Sequence, residues 1–222
     1  MTRQRSDEWR KQQIRAAATR CFVRRGFAAT RLLDIAKEAG LSKGGVYFHY
    51  RAKETLFQDI LDTQVRNLER RWSFDPTSDQ PADRTLYRLV VAHLRTLEDE
   101  PDETRLQHLL LGMAPQDSTF REKLEESFRV MRVLYSGVIE RGIASGVFRD
   151  ADADRAADCV LAMVQGLAAQ STVDPDGKLP MRPHEAAEVI IRMVCGADNV
   201  AATMAAMQAE TSVASAEPSL AS

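Results

Sequence analysis

The sequence predicts an all-α fold, on three observations. Apolar residues recur at three- and four-residue steps along most of the chain, the period of a helix face. Past Lys53, every break between these segments carries Pro, Gly or Asp, residues that end helices or shape turns. No segment of any length alternates apolar and polar residues as a half-buried strand would.

The elements follow in order. Residues 9–25 form the first expected helix, with Ile14, Ala17, Ala18, Cys21 and Phe22 on one face and Gly26 after a basic end. A second, short helix fits 32–39, where Ile35, Ala36 and Ala39 align. Gly40-Leu41-Ser42 then turns the chain into a third helix, about 43–49. A fourth runs to about Trp72 and stops before SFDPTSDQPAD, whose prolines and acids mark a loop. Further helices fit 84–97, 103–112, 119–143, 153–170 and 185–196, and the small polar tail 207–222 reads as disordered.

Chemistry concentrates in the stretch SKGGVYFHYRAKETLF, residues 42–57. Ser42 is an N-cap residue by type, and Gly44 and Gly45 remove bulk from the first turn, where a helix end can approach phosphate or a base edge. Lys43, Gly44, Gly45, Tyr47 and His49 are placed to face a major groove, while Val46 and Tyr50 face inward. This is a helix-turn-helix reading, with 43–49 as the recognition helix.

The ungapped run from Phe27 and Thr30 through Asp34, Ile35, Ala36, Ala39, Gly40, Ser42 to Tyr50, Lys53, Glu54, Leu56 and Phe57 resembles the N-terminal domain of TetR-type transcriptional regulators. The resemblance covers roughly the first sixty residues; beyond them only length and helical rhythm agree. It implies a three-helix DNA-binding domain at 1–53, a larger helical ligand-binding and dimerisation domain at 54–206, and a homodimer that leaves a palindromic double-stranded DNA operator when a small-molecule effector binds. The DNA-facing set is then Thr30, Arg31, Ser42, Lys43, Gly44, Gly45, Tyr47, His49 and Lys53, with Lys53 on a phosphate. Arg31 stands where the family often has a Thr that caps helix two, and Ala52 where a Ser, Asp or Asn commonly caps helix four.

Charge divides at the same place. The chain as a whole carries −2, yet residues 1–53 hold 13 Lys and Arg against 4 Asp and Glu, a net +9, which leaves −11 for 54–222. A basic head attracts a polyanion. Arg20, Arg24 and Arg25, taken singly, read as a solvated helix face.

The same resemblance supplies two further residue sets. Trp72, His93, His108, Met113, Phe128, Met131, Tyr135 and Gln165 fall on helices that surround the ligand space, which implies a mostly apolar ligand with one or two hydrogen-bonding groups. Cys159, Val160, Met163, Val164, Leu167, Val189, Ile190, Met193 and Val194 fall on the last two helices, which pair with their copies in a four-helix bundle.

Other chemistries find no footing. The four histidines are scattered, with no HExxH, so no metal site is expected; no P-loop or GxGxxG follows a strand, and no cofactor is expected. Asp150, Asp152 and Asp154 alternate as in a calcium loop, but Arg155 occupies the position that needs Gly, so helix capping is expected. With no apolar run long enough to span a bilayer and no signal peptide, a cytoplasmic protein is expected, with Cys21, Cys159 and Cys195 as buried thiols rather than disulfides. Two readings stand beside the ligand-responsive DNA-binding regulator: a helical regulator controlled by a protein partner, and an all-helical enzyme acting on an apolar substrate, for which no catalytic constellation is present.

Overall fold

The computed structural model describes residues 2–71 and 80–195, together with 201 and 205; side chains are described from Asp7 to Asn67 and again from Gln80. Nine helices follow one another among the described residues: α1 (Thr2–Arg25), α2 (Leu32–Glu38), α3 (Lys43–His49), α4 (Lys53–Arg71), α5 (Ala82–Asp99), α6 (Pro101–Met113), α7 (Ser118–Ala144), α8 (Ala153–Ser171) and α9 (Pro183–Val194). These are the expected helices, with α1 starting seven residues earlier than its apolar face required. Trp72 and the tail 207–222 lie outside the described residues.

The helices form two compact units, one of residues 1–71 and 99–130, the other of 72–98 and 131–222. α7 contributes its first half to one and its second half to the other.

The first unit reaches past the expected boundary at residue 53, and the reason is apolar packing. Ile14, Ala17, Cys21 and Phe22 of α1 share a core with Ile35 and Val46, but also with Leu56, Phe57 and Ile60 of α4 and with Leu106, Leu110 and Phe120. Phe22, Phe27, Phe57 and Phe120 meet in edge-on and tilted pairs 5.0–5.5 Å apart. A three-helix head this small buries too little apolar surface alone; the added helices complete it.

Turn chemistry sets the helix-turn-helix. Gly40 takes a positive φ of 66°, its amide bonds to Lys37 O and the Leu41 amide to Ala36 O, which closes α2 in a Schellman turn. Gln13 of α1 donates to Ala39 O at 2.8 Å and holds that turn. Glu38 is gripped by Arg20 at 2.8 Å and Arg24 at 2.7 Å, whose hydrogen bonds draw its pKa down to about 2, and Arg25 pairs with Asp34 at 3.1 Å. These arginines therefore pin α2 to α1 rather than simply facing solvent. α4 is fixed through Asp59, which accepts from Tyr50 and from Arg15. Burial pushes the Asp59 carboxyl up, but those two donors outweigh it and hold it below its ordinary value.

In the second unit, Asp152 caps α8 by accepting the Arg155 amide at 3.1 Å, the expected capping role. The segment after α7 folds back so that Arg149 N bonds to Val194 O, and the Phe148 ring lies over Gly142, where a Cβ would come within 2.0 Å of the ring.

Candidate nucleic-acid interface

Ser42 adopts extended backbone at the N-cap of α3, and its Oγ accepts the Gly45 amide at 3.1 Å. Val46 and Tyr50 turn into the core. With that face fixed, the opposite one is presented outward: Lys43 and Gly44 are exposed, and Tyr47 is half-buried with the Lys43 ammonium 5.3 Å from its ring centre.

Gly44 is informative because nothing inside the protein demands it. Its φ is not positive, and an added Cβ would come no closer than 3.9 Å to any atom, that of Ser42 Oγ. Glycine costs a helix about 1 kcal/mol relative to alanine. A helix of seven residues that keeps an unneeded glycine on its outer face leaves space for something that approaches closely from outside.

Phe48 lies one turn beyond Gly44 and is 78% exposed, with its ring edge-on to His49 at 5.1 Å. No role was expected of it from the sequence. The i, i+4 spacing from Gly44 was the available signal, since the two share a stripe.

Three residues assigned to DNA point elsewhere. Thr30 is 1% exposed; its hydroxyl lies 2.8 Å from Gly26 O and 3.2 Å from Cys21 O, closing the end of α1. The His49 side chain is 9% exposed and turns toward α1, Nδ1 lying 3.3 Å from Asp7 Oδ1. Lys53 surrounds its ammonium with Phe27 O at 2.8 Å, Ala28 O at 3.1 Å and Thr30 O at 3.2 Å, and sits 4.6 Å from the Phe27 ring centre. An ammonium has three donors, and all three are engaged. Arg31 remains exposed at the start of α2, its amide held by Asp34 at 3.0 Å.

Residues 14–60 match the family model for bacterial regulatory proteins of the tetR family, and residues 82–196, more than half of the chain, match that for the C-terminal part of BetI-type transcriptional repressors. The chain belongs to the TetR family. It is therefore a DNA-binding transcriptional regulator with a helix-turn-helix, and not an enzyme. Among its relatives, the HTH-type transcriptional repressor KstR2 of Rhodococcus jostii is 28% identical over 145 residues, 63% of this chain and 68% of that one. A TetR regulator structure from Haloarcula marismortui superposes with a TM-score of 0.74 at 21% identity, over 85% of this chain and all of that one. A putative regulator from Saccharomonospora viridis in complex with choline gives 0.67 at 24% identity, over 82% and 92%. At these identities the two structures show a shared fold and no more.

The ligand set of this TetR-family chain divides. His108, Met113 and Phe128 belong to the first unit, where Met113 and Phe128 pack on its core and His108 Nδ1 donates to Thr104 O at 2.9 Å. His93, Met131, Tyr135 and Gln165 belong to the second. There His93 and Tyr135 are buried and bonded to each other at 2.9 Å; burial draws the His93 pKa down to about 3 and raises that of Tyr135. Gln165 differs from all of them, because both atoms of its amide are shut away from solvent without a hydrogen-bond partner.

The dimer set divides too. Val160, Val164, Ile190 and Val194 are buried inside this chain and cannot meet a second copy. The most apolar stripe of an amphipathic helix turns to its own core. α8 leaves outside Cys159, Ala162, Gly166 and Ala169, with Met163 and Leu167 half-exposed, beside the polar Asp154, Arg155, Asp158 and Gln170, and α9 adds Val189 and Met193. Cys159, expected to be buried, thus stands on the open face; it also lines, with Ile139, Phe148, Ala156, Met193 and Val194, an apolar recess of about 110 Å³. No group of three His, Cys, Asp or Glu placed to hold a metal occurs among the described residues, and no described helix is long and apolar enough to cross a membrane.

Proposed function

We propose that the chain is a dimeric repressor that reads a palindromic operator through α3 and leaves it when a small, mostly apolar molecule binds the second unit. The observation that carries the DNA reading is the outward stripe of Lys43, Gly44 and Phe48 on a helix whose opposite side is locked into the core. Lys43 can donate to guanine or phosphate, the bare Gly44 admits the sugar–phosphate chain, and Phe48 suits the C5-methyl of thymine, the apolar feature of the major groove. Arg31 adds a phosphate contact.

Dimerisation is supported by the small residues that α8 keeps outside, Ala162, Gly166 and Ala169, which let a second copy approach closely, flanked by Met163, Val189 and Met193. Effector response is supported by the buried polar groups of the second unit, and by a neighbour of this fold that holds choline. A cytoplasmic setting follows from the same role. Selection of bound fragments from random DNA by the full chain tests the proposal: recovery of an inverted repeat with half-sites one helical turn, or a multiple, apart is expected, and recovery of unrelated sequences contradicts it.

A further inference from the structure

We infer that Gln165 is the effector's recognition residue, and that the effector carries a neutral amide-like edge, the adjacent carbonyl and N–H of a lactam, imide or carboxamide. This rests on the reading of the chain as an effector-responsive regulator. Nε2 of Gln165 needs an acceptor and Oε1 needs a donor, and both are buried without either. A buried amide left in this state is destabilising, and most native side chains avoid it. Gln165 sits within α8, whose Val164 and Ala168 are buried core residues and whose Ala162 and Gly166 face outward. The chain could have placed a leucine at this position for packing alone. A carboxamide satisfies another carboxamide with two parallel hydrogen bonds, one in each direction, which neither a hydrocarbon nor a ketone reproduces.

The amide itself favours an uncharged partner: Nε2 and Oε1 are shut away from solvent, so a charge brought to them would have to be desolvated, whereas a neutral amide exchanges one hydrogen bond in each direction.

The experiment uses the full chain labelled with ¹⁵N. The side-chain amide resonances of Gln165 are assigned by their loss in Gln165→Leu, and the protein is titrated with 2-piperidone and with cyclohexanone, the same ring and carbonyl without the N–H. The lactam is expected to shift the Gln165 amide signals and to bind roughly tenfold more tightly than the ketone, about 1.4 kcal/mol, with the preference abolished in Gln165→Leu. Gln165→Leu is also expected to melt higher than the parent, because it removes the unpartnered amide. Equal binding of the two rings, unmoved Gln165 signals up to the solubility limit of the lactam, or a lower melting point for Gln165→Leu would overturn the inference. Operator affinity separates this from the wider reading. A lactam that occupies Gln165 without weakening DNA binding sinks the effector role and leaves the site; release of DNA by other compounds that never touch Gln165 does the reverse.

Discussion

The Lys53 ammonium lies 2.8 Å from the carbonyl oxygen of Phe27, the nearest of three main-chain acceptors around it. A lysine at the start of α4 thus ties down the loop that joins α1 to α2. Charge-assisted bonds of this kind contribute about 1.5–3 kcal/mol when sheltered, and less where water competes. Lys53→Ala is expected to lower stability by roughly 1–2 kcal/mol in chemical denaturation. The salt dependence of DNA binding should stay unchanged, since a lost phosphate contact would reduce its slope by about one per subunit. A flattened slope with unchanged stability would return Lys53 to the phosphate backbone.

Gly44→Ala separates stability from function. With 3.9 Å to the nearest atom an added methyl fits, and the helix gains up to about 1 kcal/mol from the better helix former. Thermal unfolding should move upward while operator affinity falls, because the methyl occupies the surface left open for DNA. Unchanged binding would show that this face of α3 does not approach DNA closely.

Dimer formation can be broken without breaking the fold, provided the outer residues are chosen. Ala162→Glu places a charge on the exposed side of α8 and is expected to give folded monomers by sedimentation and circular dichroism, with operator binding much weakened. Val164→Asp buries a charge in the chain's own core and should unfold the second unit. Dimers that survive Ala162→Glu would place the interface elsewhere.

His93 makes a prediction in pH. Burial holds its pKa near 3, whereas an unfolded chain takes up a proton near 6.5. Between these values the unfolded state binds more protons, so stability is full above about pH 6.5 and declines as pH falls toward 3, with a slope of up to about 1.4 kcal/mol per unit. His93→Gln should flatten that slope in denaturant titrations across this window. An identical slope in the variant would show that other groups govern the acid response.

Much of this was legible in the residues, and the misplaced helix faces share one cause. Helix positions followed from the apolar period and from Gly26, Gly40 and the prolines, and Ser42 was readable as a cap by type and place. Periodicity gives the faces of a helix but not which neighbour claims each one. His49 therefore read as groove-facing until α1 brought Asp7 to it, and Val160, Val164, Ile190 and Val194 read as an interface until their own core covered them. Phe48 carried no expectation, because an apolar ring on a short helix can serve either face and the period alone does not say which. The partner of Lys53 could not be read at all, because main-chain carbonyls have no signature in sequence.

The stripe of Lys43, Gly44 and Phe48 is proposed to read the operator. Parallel selections from one random DNA pool with the parent, Lys43→Ala and Phe48→Ala test it most directly. An inverted repeat is expected from the parent, relaxed preference at different half-site positions from each variant, and for Phe48→Ala a loss of discrimination at a thymine worth about 1–3 kcal/mol. An identical operator recovered with equal stringency by all three proteins would contradict it.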